Sequence, residues 1–316
     1  MTDILITKKN LVLDATTLSA LMNCARLTEF QYKLNLRQSA GKSNSLEVGT
    51  LAHTILEHYH KSIIQGLKRE QAIGIGMIAG ELVVRGCQHC TDWTDTENNP
   101  PCGHKPNEFP GLKNTPMDST TKPNRVGWKH VFDTMEQYFA FYRNDSWVPL
   151  EVEVVKGEIL YEDDDIRILW KAKLDLVVDT NQGILPVDHK TMSQRRETNS
   201  MNNQFMGQCL LMKTRNVVIN KIGWQTTLKP EEKFTRAVLS YSADRLMEWQ
   251  SEILPFYAYQ LLTFEEAGYY PPRFDHCEGK YGPCPFLNVC EADRNMREEE
   301  LRLNFTKVEE WNPKND

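Results

Sequence analysis

The 316 residues comprise 40% hydrophobic and 25% charged side chains, the balance of an ordinary globular protein of one large domain, or one domain with insertions, able to bury a sizeable core. A formal net charge of -6 argues against coating nucleic acid through overall charge, while leaving room for a local basic rim. No stretch approaches the roughly 18 apolar residues of a membrane span and MTDILITKKN lacks a signal-peptide core, so a cytoplasmic protein without membrane contact is expected, whose eight cysteines favour metal binding over disulfides.

Asp14 to Thr17 offer N-caps for a first helix in which Leu18, Leu21, Leu27, Phe30 and Leu34 recur at helical spacing. Cys24 falls inside it, as a small core residue or as a ligand. After a polar linker over 38–45, a second helix over 46–66 places His53 and Glu57 at i,i+4, with His60 continuing that face. A third helix covers about 69–85. Residues 86–124 then turn rich in Pro, Asn, Asp and Thr and cannot bury a core of their own. Within this insertion Cys87, Cys90, Cys102 and His104 could hold a tetrahedral Zn2+; the alternative is a set of free thiols. Helical periodicity resumes over 128–145.

The chemistry concentrates in 171–190, KAKLDLVVDTNQGILPVDHK. Leu174 to Val178 predicts a strand, Asn181 to Gly183 a turn and Ile184 to Val187 the returning strand, together a hairpin. Asp175 interrupts the first strand and Asp188 ends the second, so the acids can meet on one face, with Lys190 on the same side of the pleat. Two such carboxylates repel unless a cation sits between them; hard oxygen ligands favour Mg2+ or Mn2+, and a lysine beside them would hold or deprotonate a water. The plain alternative is a surface ion pair at strand ends. A preceding strand over 150–160 brings Glu151 and Glu153, the latter as an optional ligand or a solvated edge residue. Lys190 with Arg195 and Arg196, or Lys171 with Lys173, could form a local basic rim for DNA; the alternative for the two arginines is solvated loop charges. Downstream come a helix over 201–213, strands over 217–227 and 234–240, and a long helix over 242–268. In the Gly- and Pro-studded loop 271–292, Cys277, Cys284 and Cys290 can surround one metal centre with a vertex left open for Cys24.

Asp175 followed by Asp188-His189-Lys190 resembles the split D…(D/E)-x-K signature of the PD-(D/E)XK nuclease superfamily. Gly49-Thr50-Leu51-Ala52-His53 resembles the G-x-x-x-H helix of its RecB-like branch, where the histidine is a further metal ligand. Gln204 resembles the start of the Q-x-x-x-Y helix, with Gln208 in place of the tyrosine; Gln204 can still bond a DNA phosphate. One early cysteine plus a C-terminal triplet resembles the iron-sulfur subgroup of CRISPR-adaptation nucleases, AddB-type nuclease domains and related viral exonucleases, in which four cysteines hold a 4Fe-4S cluster. The resemblance spares only the first dozen residues, the insertion and the tail after Cys290. It implies an α/β fold with a restriction-endonuclease-like core, a central mixed β-sheet flanked by helices, in a single domain over 1–316. It also implies DNA phosphodiester hydrolysis: Asp175, Asp188 and His53 holding Mg2+ or Mn2+, Lys190 positioning the water, and Cys24, Cys277, Cys284 and Cys290 holding the cluster. Single-stranded DNA ends are the implied substrate, with a recombinase, single-strand-binding protein or helicase as partner. Two readings stand beside it: a catalytically silent iron-sulfur scaffold of a recombination complex, and an endonuclease trimming DNA for integration. No Walker-type string occurs, so no motor is expected in this chain.

Overall fold

The computed structural model describes residues 8–38, 44–85, 117, 126–192, 200–279 and 282–308. The candidate zinc ligands Cys87, Cys90, Cys102 and His104, and the basic pair Arg195 and Arg196, lie outside them. Among the described residues no helix is long and apolar enough to cross a membrane.

In chain order, β1 (Lys9–Leu13) leads into α1 (Ala15–Asn23), α2 (Ala25–Thr28) with a π-helical turn Glu29–Lys33, and β2 (Leu36–Gln38). Three helices follow, α3 (Asn44–Ile64), α4 (Arg69–Arg85) and α5 (Trp128–Phe141), then three long strands, β3 (Val148–Glu162), β4 (Ile166–Thr180) and β5 (Gly183–Met192). The second half holds α6 (Asn203–Leu211), β6 (Asn216–Gly223), α7 (Pro230–Lys233), β7 (Phe234–Ser240), α8 (Ala243–Glu248) and, after a π-turn Trp249–Ile253, α9 (Leu254–Ala267). A small C-terminal section comprises β8 (Glu278–Gly279), β9 (Gly282–Pro283), α10 (Leu287–Glu291), α11 (Arg297–Asn304) and β10 (Phe305–Lys307).

Local sequence accounts for the helix starts. Asp14 caps α1 by accepting the Thr17 N–H at 2.6 Å, and Asn202 caps α6 by accepting the Gln204 N–H at 2.8 Å. The expected first helix does not run unbroken, because Cys24 is extended (φ -165°, ψ 120°) and separates α1 from α2. Cys24 therefore stands at a helix break, where its Sγ accepts the Arg273 N–H at 3.3 Å.

The central sheet is mixed. β3 lies antiparallel along one edge of β4, from Asp179 back to Arg167. β1, parallel over Ile166–Trp170, and β5, antiparallel over Leu176–Thr180, both take the other edge. Residues 171–175 on that edge pair with neither. After the Leu176↔Val187 pair β5 leaves β4 and continues beside β6, in parallel, to Met192; β7 closes the sheet antiparallel to β6. The sheet thus splays open at Asp175 and Asp188.

Helices cover both faces. On one, α1, α6, α8 and α9 bury Leu18, Phe205, Leu246 and Ala258 against Ile168, Trp170 and Ile219. The Trp170 and Trp249 rings meet edge to face at 5.0 Å there, a geometry that contributes about 0.5–1.5 kcal/mol beyond its area burial. On the other, α3 and α5 bury Leu51, Ile55, Met135 and Tyr138 near Ile222 and Phe234. A separate cluster of Phe30, Phe286, Val289 and Phe305 joins the N-terminal third to the C-terminal section, where β10 pairs with β2.

Candidate metal centre

Where β4 and β5 separate, a side chain replaces the backbone ladder: Asp175 Oδ2 accepts the His189 N–H at 2.7 Å. The His189 carbonyl on the same strand takes His53 Nε2 at 3.0 Å. A carbonyl can only accept, so Nε2 carries the hydrogen and Nδ1 of neutral His53 presents its lone pair, 3.8 Å from Asp175 Oδ2. Burial lowers the His53 pKa and favours that neutral form.

Glu153 completes the group. The β3–β4 pairing skips from Val152↔Leu176 to Val154↔Leu174, so Glu153 sits opposite Asp175. Its φ of 52° lies in the left-handed region, a strain of order 1–3 kcal/mol for a residue other than glycine. One donor atom each from His53, Glu153 and Asp175 lies within 4.8 Å of the other two. Burial, then the Asp188 charge, pushes the Asp175 carboxyl up to about 7; burial, then Asp175, raises Glu153, against the pull of Lys173 at 3.2 Å. An imidazole lone pair and two carboxyls made costly to ionise are a donor set that a divalent cation would relieve, so the residues fit Mg2+ or Mn2+.

Asp188 stands outside this trio. It is buried, with Oδ1 accepting Gln204 Nε2–H at 2.6 Å and Oδ2 2.7 Å from Lys190 Nζ. Lys190, whose side chain is 43% exposed, also reaches Gln204 Oε1 at 3.4 Å. The expected residues His53, Asp175, Asp188, Lys190 and Gln204 thus come together, in two tiers: His53 and Asp175 with Glu153, and Asp188 with Lys190 and Gln204. Gln204 reaches the site because α6 lies hard against β4; a Cβ on Gly207 would fall 2.2 Å from Trp170 Nε1. Gln208, at the position of the family's tyrosine, is buried, at 1% exposed.

Cys24 from the α1–α2 break meets Cys277, Cys284 and Cys290 from the C-terminal section. All four are free thiols; burial raises Cys277 and Cys284, and each is raised further by Cys290 and Cys24. Cys284 and Cys290 pack on the Phe30, Phe286 and Phe305 cluster.

Glu153, an optional ligand by sequence, is a close member of the site because it lies opposite Asp175 with a left-handed backbone, a conformation no local pattern signals. The buried polar residues behind β5, by contrast, left a sequence signal: Asn220 interrupts the apolar run of β6, NVVINKIG, and is fully buried.

The sequence model of the PD-(D/E)XK nuclease superfamily matches residues 13–291. A search of the curated proteins finds no match. Among solved structures, a provisionally assigned exonuclease from Eubacterium rectale is 14% identical with a TM-score of 0.45, over 90% of this chain and 88% of that one. SSO0001 is 12% identical with a TM-score of 0.25, over 39% of this chain; the match spans 57% of the length of SSO0001.

Proposed function

Because this chain belongs to the PD-(D/E)XK nuclease superfamily, we propose that it is a Mg2+- or Mn2+-dependent deoxyribonuclease that degrades DNA from single-stranded ends in recombination, repair or replication. The observation that carries this is the convergence of the His53, Glu153 and Asp175 donors beside Lys190 at the splayed end of β4 and β5. A divalent cation held there would polarise the phosphodiester and lower the pKa of a bound water.

The remaining steps belong to the chain. Lys190 Nζ donates to Gln204 Oε1 and pairs ionically with Asp188 Oδ2, contacts that hold the ammonium beside the site for the attacking water or a phosphate oxygen. As charge builds on the phosphoryl oxygens, that fixed ammonium stabilises it without having to reorganise. Asp188, buried, accepting from Gln204 and paired ionically with Lys190, orients Lys190 in this reading and is drawn into the cation's sphere only if Gln204 lets go. His53, held neutral by burial and steered by the His189 carbonyl, keeps its Nδ1 lone pair available.

For Cys24, Cys277, Cys284 and Cys290 we propose a 4Fe-4S cluster with a structural role. What supports this reading is the resemblance in the order of the four cysteines and the electrostatic coupling of Cys277 and Cys284 to Cys290 and Cys24, thiols from opposite ends of the described chain.

Linear and covalently closed circular single-stranded DNA, each incubated with the protein and Mn2+, test the function. Degradation of the linear strand alone, abolished in Asp175→Ala, is expected. Cutting of the circle would favour the trimming endonuclease, and inertness with every divalent cation the silent scaffold.

A further inference from the structure

Behind the metal centre a chain of buried polar side chains crosses three strands. His189 on β5, Asn220 on β6 and Arg236 on β7 are register partners in succession, His189↔Asn220 and Asn220↔Arg236, so their side chains share one face of the sheet. The Asn220 amide meets His189 Nδ1 at 2.9 Å and donates to Tyr138 Oη at 2.9 Å. Arg236 reaches the same Oη at 3.5 Å. Its guanidinium is clamped at the far end: two bonds to Asp145 at 2.8 and 2.6 Å, with the rings of Tyr142 and Trp147 stacked on it at 3.7 and 3.4 Å. The His60 ring lies parallel to His189 at 5.9 Å. His189, Asn220 and Tyr138 are each at most 3% exposed.

Such a chain is a costly way to fill a core. Apolar side chains of like shape in place of paired buried polar groups are often neutral or stabilising. The near end of the chain shows what the polar groups gain. His189 is the residue between Asp188 and Lys190, and its own peptide bonds two members of the cation trio: its N–H holds Asp175 and its carbonyl holds His53. β5 has already left β4 at this point, so no strand ladder on that side fixes the peptide. On the other side the β6 ladder carries the strand past His189, and the His189 side chain adds a second hold on it.

We propose that Asn220 and Tyr138 are positioning residues for the cation centre: through the His189 imidazole they set the His189 peptide, and through it the placement of Asp175 and His53, with Arg236 and Asp145 as the fixed anchor. This rests on the cation-dependent reading above and extends it to residues that touch neither cation nor DNA. Loss of an outer partner of a metal ligand typically costs about 10–100-fold in affinity or activity, and the same range is expected here.

The test titrates Mn2+ into the DNA-free full chain, by calorimetry and by the loss of free-Mn2+ EPR signal, for wild type, Asn220→Leu and Tyr138→Phe. Steady-state rates on linear single-stranded DNA accompany it. Mn2+ binding about tenfold weaker in Asn220→Leu and weakened to a lesser degree in Tyr138→Phe is expected, with kcat lowered at saturating Mn2+ and KM for DNA unchanged. A purely structural role would lower the thermal midpoint and leave the folded protein's Mn2+ affinity and kcat intact, and that result would overturn the proposal. Tyr138→Phe removes one oxygen only and decides the matter if Asn220→Leu fails to fold. Wild type that binds no Mn2+ would instead overturn the cation reading, and the positioning role with it.

Discussion

At the scale of single residues the centre stores free energy that a bound cation would release. Asp175, pushed up to about 7 by burial and the Asp188 charge, must ionise at a cost in the empty site. The sign follows from linkage: a folded-state pKa above the unfolded value contributes stability that is complete below the ordinary carboxylate range and is lost as pH rises through about 7. The metal-free protein should therefore be less stable at pH 8 than at pH 6, by on the order of 1 kcal/mol. Asp175→Asn, neutral at every pH, is expected to flatten that slope and raise the metal-free melting temperature at pH 8 while abolishing Mn2+ binding, as scanning calorimetry with and without Mn2+ would show. A melting temperature at pH 8 no higher than wild type would contradict the burial argument. The left-handed Glu153 adds its own strain beside Asp175, the familiar trade of stability for a functional site.

Among the elements, α6 does most to set the second tier of the site, and Gly207 lets it do so. A Cβ there would meet the Trp170 indole at 2.2 Å, and Trp170, fully buried and braced against Trp249, has nowhere to go. Gly207→Ala should cost about 1–3 kcal/mol through overpacking and lower the cleavage rate by lifting Gln204 from Asp188. Gly74 on α4, exposed and with nothing within 4 Å of its Cβ position, provides the contrast. Gly74→Ala should stabilise by roughly 0.5–1 kcal/mol, the ordinary helix preference for alanine. Urea unfolding of the two variants compares them directly, and equal behaviour would refute the close-packing account.

Over the whole molecule, the two ends of the described chain are tied together. β2 pairs with β10, and a centre held by Cys24 with Cys277, Cys284 and Cys290 would add a second tie across about 250 residues of sequence. If loop-closure entropy for a disulfide carries over to a metal clip, a centre bound there removes on the order of 5 kcal/mol of unfolded-state entropy, comparable with the whole stability of a typical domain. Anaerobically purified protein is expected to be brown, with about four irons per chain, and Cys290→Ala to lose colour, iron and thermal stability together. Stoichiometric zinc in colourless protein would replace the cluster by a zinc site, and a colourless but fully stable Cys290→Ala would remove the stapling role.

The sequence by itself determined the hairpin and the acids and lysine it carries. A largely apolar run rich in β-branched residues along Leu174 to Val178, a turn at Asn181 and Gln182, and acids at 175 and 188 with a lysine two residues on are local patterns, and β4 and β5 follow them closely. The helix presenting His53 and the order of the four cysteines were legible for the same reason. Elsewhere the local reading overran. Strand 217–227 ends at Gly223, past which the Trp224 N–H bonds Met192 across the sheet, and the helix over 242–268 contains a π-turn. Only the tertiary structure decided that Cys24 sits at a helix break, that Gln208 is buried, that Glu153 joins His53 and Asp175, and that Asp188 turns to Lys190 and Gln204. Each of these depends on where β5 parts from β4 and how closely α6 and α3 approach the gap. Strand alternation encodes which side of a pleat a residue takes, but the distance between elements far apart in sequence is set by packing, and packing leaves no local pattern to read.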